Sequence, residues 1–292
     1  MKTDIFPLNY FKSIFRPTDM FTGRHQLNWL QIILVFFFLN GLILIPVSLE
    51  FAKMDTYEID ETYPNAFALI DDATVASLKN ATFSQGEMEH VPIFYQEKET
   101  GVIGGNLSEE KKEQALEMEN AVLFQKEGIT IKEAGQPIAN IKYTRDFDLS
   151  GVTNEKELQA AISNQWFTQN KAIVVGGLLF AVFNIAFASL LFFVIGASFF
   201  IYLTKRGESS SIRTYKESVN LIVNTLGLAT LIAMIVGLLG FDVIVIIMTQ
   251  STALIFILLA VFYHTHFSDE YVERKQQQKT KDPVWEVRRL KK

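Results

Sequence analysis

Four long stretches of the chain are almost purely apolar, and they dominate its hydrophobic pattern. They cover residues 30–49, 172–203, 218–240 and 243–264, and none of them contains Asp, Glu, Lys or Arg. About 20 helical residues suffice to cross the hydrocarbon core of a bilayer. The pattern therefore predicts four transmembrane helices. Because almost thirty residues precede the first stretch, it predicts an uncleaved anchor there rather than a signal peptide.

Residues 50–171, between the first and second spans, show a different pattern of short apolar runs and turn residues. The segment is long enough to bury a core of its own. Helices are predicted from Ser108 to about Asn120 and from Asn154, with Glu157 in its first turn. The glycine-rich Gly101–Gly105 is predicted to be a turn. Strands are predicted at 67–70, 91–95, 121–124, 129–131 and 138–143, which makes this an α+β domain.

Charge gives the predicted spans an orientation. Lys and Arg gather in 1–29, 204–217 and 265–292, whereas 50–171 has twice as many acidic as basic residues. Short loops rich in Lys and Arg stay in the cytoplasm. The fold class predicted is therefore a membrane protein with a four-helix transmembrane bundle. Both termini are cytoplasmic, and an acidic extracytoplasmic α+β domain is inserted between spans 1 and 2. The bacterial plasma membrane is the predicted location.

The segment between Pro7 and Pro17 is predicted to form a short amphipathic helix. Two arrangements fit it equally: an interfacial helix in the plane of the membrane, or a helix packed on the cytoplasmic ends of the spans. Its apolar face would carry Leu8, Phe11, Ile14 and Phe15, and its polar face Asn9, Lys12, Ser13 and Arg16.

The sequence offers no pattern typical of a catalytic, cofactor or metal site. The chain has no Cys and only four His, and it contains no phosphate-binding glycine loop, HExxH or GxSxG motif. We therefore predict that the protein is not an enzyme and holds no cofactor or metal. The acidic exterior argues against a nucleic-acid ligand, whereas the basic cytoplasmic segments favour contact with the lipid bilayer.

Neutral polar residues inside the spans are the remaining candidates for a role. Asn40, Asn184, Asn224 and Thr225 are predicted to form hydrogen bonds between helices. A further candidate is the cytoplasmic tract before the third span, with Arg213, Tyr215 and Lys216.

Several short parts of the sequence carry a family resemblance. They are the opening Phe6-Pro-Leu-Asn-Tyr-Phe-Lys-Ser-Ile-Phe-Arg-Pro-Thr18, Arg24, Ile45-Pro46 near the end of the first span, Pro92-Ile-Phe94 and the tract Ser211–Val219. At these places the chain is similar to a family of uncharacterised Firmicute (Gram-positive) membrane proteins. Some of its members bear the name maltodextrin-utilisation protein MalA. The layout is also distantly similar to the Yip1-type membrane domain.

The resemblance implies a non-enzymatic plasma-membrane protein that is an accessory or scaffold, linked to maltodextrin uptake. Its partners would be a sugar-uptake or envelope complex in the membrane. Two alternatives stay open: an envelope sensor whose extracytoplasmic domain binds a ligand, and a small-solute permease with a polar path at the middle of the membrane.

Overall fold

A computed structural model describes residues 5–90, 92–206 and 210–281, which form a helical unit and a sheet unit. The helical unit consists of the chain up to Ala52 and from Gly177 onward, and the sheet unit runs from Lys53 to Gly176. Four predicted parts of the chain are described only in part. They are the N-terminal segment (1–29), strand 91–95, loop 204–217 and tail 265–292.

The structure has ten α-helices and seven strands in its described residues. The helices are α1 (Leu8–Ser13), α2 (Pro17–Thr22), α3 (Trp29–Ala52), α4 (Pro64–Phe67), α5 (Asp72–Leu78), α6 (Glu109–Glu117), α7 (Glu155–Leu203), α8 (Tyr215–Leu238), α9 (Val243–Thr265) and α10 (Asp269–Lys281). The strands are β1 (Thr82–Ser84), β2 (Glu87–His90), β3 (Phe94–Lys98), β4 (Gly101–Gly105), β5 (Ala121–Phe124), β6 (Gly128–Lys132) and β7 (Ala139–Lys142).

Four helices, α3, α7, α8 and α9, are long and apolar enough to cross a membrane. Helix α8 is the central one: 61% of its most apolar stretch is buried, against 17% for α7 and α9. Small residues on α8, including Ala229 and Ala233, are fully buried and allow the neighbouring helices to approach closely. The exposed surface of α7 and α9 is mostly apolar, as suits helices surrounded by hydrocarbon.

Helix α7 runs without a break across residue 172, where the second span was predicted to begin. The helix predicted from Asn154 and the predicted span 172–203 are one continuous helix of 49 residues. Asn154 starts it by accepting a hydrogen bond from the Glu157 backbone N–H, and Thr153 donates to the Glu157 carboxylate. No Pro interrupts the sequence between them and Leu203, so nothing ends the helix where its character changes from amphipathic to apolar.

The short helix predicted between Pro7 and Pro17 is α1, and a second helix of six residues, α2, follows it. The buried face of α1 combines residues of both predicted faces. Ile14 of the apolar face is buried, but so are Asn9 and Ser13 of the polar face, whereas Leu8 and Phe15 are 58% and 59% exposed. The reason is that α1 packs against polar groups of α8, which the pattern of α1 alone does not reveal.

The sheet unit contains a five-stranded sheet with the order β3-β4-β5-β6-β7 and a separate hairpin, β1-β2. Strands β4 and β5 are parallel and are joined through α6, while the other neighbours in the large sheet are antiparallel. The first turns of α7 cover the core of this unit. Its largest hydrophobic cluster includes Ile103, Val122, Phe124, Leu158 and Ile162.

Two local predictions in this unit are wrong. The run 67–70, predicted as a strand, is the end of α4 and the turn after it. The glycine-rich Gly101–Gly105, predicted as a turn, is the fully buried strand β4. Glycine is required there because a Cβ on Gly101 would lie 2.1 Å from the Asn120 carbonyl oxygen.

Candidate functional site

Two asparagines one turn apart on α8 hold the N-terminal segment. The side-chain amide of Asn220 donates to the Leu27 carbonyl at 3.2 Å and accepts from the Leu27 N–H at 3.1 Å. The amide of Asn224 donates to the Met20 carbonyl at 3.1 Å, and the Ser13 hydroxyl donates to its oxygen at 3.2 Å. Both asparagines are at most 1% exposed, so water cannot reach their side chains. These hydrogen bonds satisfy polar groups that would otherwise be buried without a partner.

Tyr10 makes a third contact between α1 and α8. Its hydroxyl donates to the Val223 carbonyl at 3.2 Å. Burial raises the pKa of Tyr10 well above its ordinary range, so the hydroxyl stays protonated and remains a donor. Gly227 permits this close approach, because a Cβ there would lie 2.5 Å from Ile14 Cγ2 and 2.6 Å from the Tyr10 hydroxyl oxygen.

Arg24 is the most deeply buried charge in the described part of the helical unit, at 2% exposure. Its guanidinium lies 4.0 Å from the Phe21 ring centroid and donates to the Phe21 carbonyl at 3.1 Å. It pairs with Asp269 at 2.6 Å and lies 3.9 Å from a Glu217 carboxylate oxygen. We call these four residues the Arg24 cluster. They tie the N-terminal segment to the starts of α8 and α10.

The predicted tract before the third span meets the same end of the helical unit. The Arg213 N–H donates to the Glu217 carboxylate, and Thr214 caps α8. The Tyr215 hydroxyl donates to the Ile195 carbonyl of α7 at 3.3 Å. Lys216 contributes its carbonyl, which accepts from Asn220.

Residues 210–213 also bind the turn after α9. The Ser211 N–H donates to the Phe267 carbonyl at 2.7 Å, and the Ser211 hydroxyl oxygen accepts from the Asp269 N–H at 2.9 Å. Three distant parts of the sequence therefore meet around Arg24.

The four polar residues singled out in the spans have different surroundings. Asn40 is fully buried and donates to the Phe183 carbonyl on α7 at 3.2 Å, and Asn224 bonds to the N-terminal segment as described above. Thr225 is buried but bonds to the Leu221 carbonyl of its own helix. Asn184 is exposed and also bonds within its own helix, to the Phe180 carbonyl.

Sequence reasoning missed Asn220, and it used Arg24 for orientation and for the family resemblance but not as a buried contact. Asn220 could have been found from its spacing, since it lies four residues before Asn224 and so shares its face of α8. Sequence reasoning also missed a contact between α8 and α9, in which the Gln250 amide donates to the Thr230 hydroxyl at 2.7 Å.

The sheet unit has a cleft of its own, with a volume of about 380 Å³. It lies beside β6 and β7, and charged and amide side chains line much of it, among them Lys112, Gln125, Lys126 and Asn140. The Gln125 amide nitrogen is buried there without a hydrogen-bond partner among the described residues. Within the described ranges, no three His, Cys, Asp or Glu side chains gather as metal ligands would.

Comparison with known proteins places the chain in a family. A family model described as "Protein of unknown function (DUF1189)" matches residues 9–265, a range that includes every residue of the Arg24 cluster except Asp269. The maltodextrose utilization protein MalA of Streptococcus pneumoniae is 30% identical over 268 residues, which are 90% of this chain and 97% of that protein. YvdJ of Bacillus subtilis, also named for maltodextrin utilization, is 21% identical over 258 residues, 84% of this chain and 85% of that protein. No solved structure matches. The chain thus belongs to the DUF1189 family.

Proposed function

We propose that the protein is a non-enzymatic accessory or scaffold component of the plasma membrane that serves maltodextrin utilisation. The link to maltodextrin comes from the names of two relatives. The scaffold role rests on one structural observation: four buried amide side chains of the helical unit donate hydrogen bonds to its own helices and N-terminal segment, although the Ser198 and Ser218 hydroxyls are buried without a partner among the described residues. Asn40, Asn220, Asn224 and Gln250 all make such bonds.

A transport path would need polar groups that stay available to a solute. Proton-coupled transporters and ion pumps also place ionisable residues near the middle of the membrane. The four predicted spans contain no Asp, Glu, Lys or Arg. The amide N–H groups of Asn40 and Gln250 already donate to α7 and α8, and of their two amide oxygens only that of Asn40 is buried without a partner among the described residues. These contacts favour a bundle held together by polar bonds over a permease.

The cleft of the sheet unit supports the second candidate, an envelope sensor. Its amide and charged side chains suit a polar ligand. The substitution Gln125→Ala is expected to have different effects on a scaffold and on a sensor. A scaffold that makes no use of the cleft keeps its effect on maltodextrin uptake, whereas a sensor loses its response to the ligand.

The proposed orientation places the sheet unit outside the cell and both ends of the chain inside. Single cysteines report on it cleanly because the chain has none of its own. In intact cells, Asn80→Cys is expected to react with a membrane-impermeant maleimide and Gln278→Cys is not; both positions are exposed. Both should react once the cells are permeabilised. Labelling of Gln278→Cys in intact cells would overturn the orientation.

A second test separates scaffold from permease through Asn40. Deleting the gene in its own host is expected to slow uptake of labelled maltotetraose and leave glucose uptake unchanged. Complementation with Asn40→Leu should restore uptake, because losing one hydrogen bond between helices costs about 0.6 kcal/mol. Asn184→Leu is the matched control, since Asn184 is exposed and bonds only within α7. Protein abundance is measured by immunoblot of the membranes.

The scaffold proposal fails if Asn40→Leu abolishes maltotetraose uptake at normal abundance while Asn184→Leu does not. It also fails if the purified protein, reconstituted into liposomes, carries maltotetraose by itself. Affinity purification of the tagged protein from host membranes, followed by mass spectrometry, should recover subunits of a sugar-uptake complex.

A further inference from the structure

A cleft of about 490 Å³ opens beside the Arg24 cluster, between the segment that leads into α8 and the start of α10. Its lining differs from that of the rest of the helical unit. It carries serine hydroxyls, two arginines and a histidine, and Glu270 as its one carboxylate. The scaffold contacts described above do not use its side-chain donors.

Two of the serines have an O–H donor that is not used within the described residues. The Ser211 hydroxyl oxygen accepts from the Asp269 N–H at 2.9 Å, and the Ser268 hydroxyl oxygen accepts from the Tyr271 N–H at 3.4 Å. Neither hydroxyl donates to an acceptor in the described part of the chain. Each proton is therefore free to point to a ligand that accepts hydrogen bonds.

The charges of the cleft favour the same kind of ligand. Arg213 is exposed, and no carboxylate within the described ranges forms an ion pair with its guanidinium. Arg274 pairs with Glu270 at 3.1 Å, but both side chains are more than three-quarters exposed, so this pair is weak and easily rearranged. The cleft therefore has an excess of positive charge before His266 is counted.

The acidic residues nearest to the cleft are occupied elsewhere. The Asp269 carboxylate binds Arg24. The Glu217 carboxylate accepts from the Arg213 N–H and the Thr214 hydroxyl at the start of α8. Their negative charges are thus partly neutralised, and they leave the Arg213 and Arg274 guanidinium groups available on the open side.

His266 adds a donor held in a fixed position. Its backbone is left-handed, with φ of 49°, and its N–H donates to the Phe262 carbonyl at 2.7 Å. Its ring packs edge-on against Tyr271, with the ring centroids 4.4 Å apart. An imidazole always has at least one N–H, so this ring offers a donor whether or not it is charged.

We propose that this cleft binds a phosphate group. A phosphate presents acceptor oxygens in several directions and carries negative charge, which suits a site of two guanidinium groups, an imidazole and two hydroxyl donors. In the orientation proposed above, the cleft faces the cytoplasm at the level of the lipid headgroups. The phosphate could therefore belong to an anionic phospholipid or to a soluble phosphate compound.

The test uses the full-length protein in nanodiscs of two compositions, phosphatidylcholine alone and phosphatidylcholine with phosphatidylglycerol. Lipid retention is measured by native mass spectrometry after transfer to detergent, and inorganic phosphate binding by isothermal titration in phosphatidylcholine nanodiscs. The wild type is compared with the double variant Arg213→Gln/Arg274→Gln. Arg16→Gln is the control, because Arg16 is exposed and lies outside the cleft.

The double variant is expected to lose at least tenfold in affinity for phosphate or in retained phosphatidylglycerol, while Arg16→Gln matches the wild type. A loss confined to phosphatidylglycerol identifies a lipid headgroup, and a loss confined to inorganic phosphate identifies a soluble ligand. Thermal unfolding in phosphatidylcholine nanodiscs checks that the double variant is folded. If a folded double variant binds both probes as the wild type does, or if the wild type binds neither, the proposal is wrong. The maltotetraose uptake assay is independent of this outcome.

Discussion

Arg24→Met is expected to destabilise the helical unit by about 2–3 kcal/mol. Removing one partner of a buried ion pair usually costs about 3–5 kcal/mol, because the remaining charge loses its compensation. The expected cost here is smaller because the Asp269 side chain is 49% exposed and water can solvate it in the variant. Glu217, at 13%, cannot be solvated as well. The measurement is thermal unfolding of the purified protein in detergent, together with its abundance in membranes.

Arg16→Met is the control for this substitution. Arg16 lies just before α2 and is exposed, so the same change of side chain should alter stability by less than about 0.5 kcal/mol. Equal effects of the two substitutions would mean that the Arg24 cluster does not hold the N-terminal segment. Arg24→Lys should recover only part of the stability, because the compact ammonium does not offer the planar group that lies 4.0 Å from the Phe21 ring centroid while it donates to Asp269 and the Phe21 carbonyl.

Gly128→Ala is expected to destabilise the sheet unit by about 3 kcal/mol. Gly128 faces Lys142 across the β6-β7 pair, and a Cβ there would lie 2.2 Å from the Ile141 carbonyl oxygen. That oxygen belongs to the backbone of β7, so relief requires the two strands to separate. Overpacking of this kind costs about 1–3 kcal/mol and sometimes more. The measurement is urea unfolding of a fragment of residues 53–176, which contains the whole sheet unit and its core.

Gly151→Ala is the matched control in the same fragment. A Cβ on Gly151 would meet nothing within 4 Å, and its backbone is not left-handed. The free energy of unfolding of the Gly151→Ala fragment should stay within about 0.5 kcal/mol of the wild-type value. If Gly128→Ala unfolds at the same urea concentration as Gly151→Ala, the β6-β7 register described above is wrong. A wild-type fragment without a cooperative transition would contradict a self-sufficient core in the sheet unit.

The elements with a regular burial pattern could be predicted from the sequence. The four apolar runs led to α3, α8, α9 and the apolar part of α7, because a long uncharged run has few alternatives to a membrane-length helix. Strands β5, β6 and β7 were also found, since apolar and β-branched residues alternate or cluster there between turn residues. The buried strand β4 was missed, because three glycines in five residues suggest a turn unless the neighbouring strand is known.

Most contacts of the candidate site could not be predicted from local sequence patterns. Asn184 and Asn40 are both asparagines in apolar spans, yet only Asn40 reaches another helix, and nothing near either residue in the sequence distinguishes them. Leu27 and Asn220 bond although they are 193 positions apart in the sequence, and Arg24 and Asp269 pair although they are 245 positions apart.

The sequence by itself determined where the four long apolar helices and strands β5, β6 and β7 lie, how charge is distributed and that the chain has no familiar catalytic motif. The tertiary structure decided which polar residues are buried together, that Asn9 and Ser13 of α1 are among them and that donors converge on one cleft. The physical reason is that hydrophobic periodicity acts within one element, through a repeat of 3.6 or 2 residues. A buried hydrogen bond or ion pair depends on two distant segments arriving at the same place, and only the folded chain specifies that arrival.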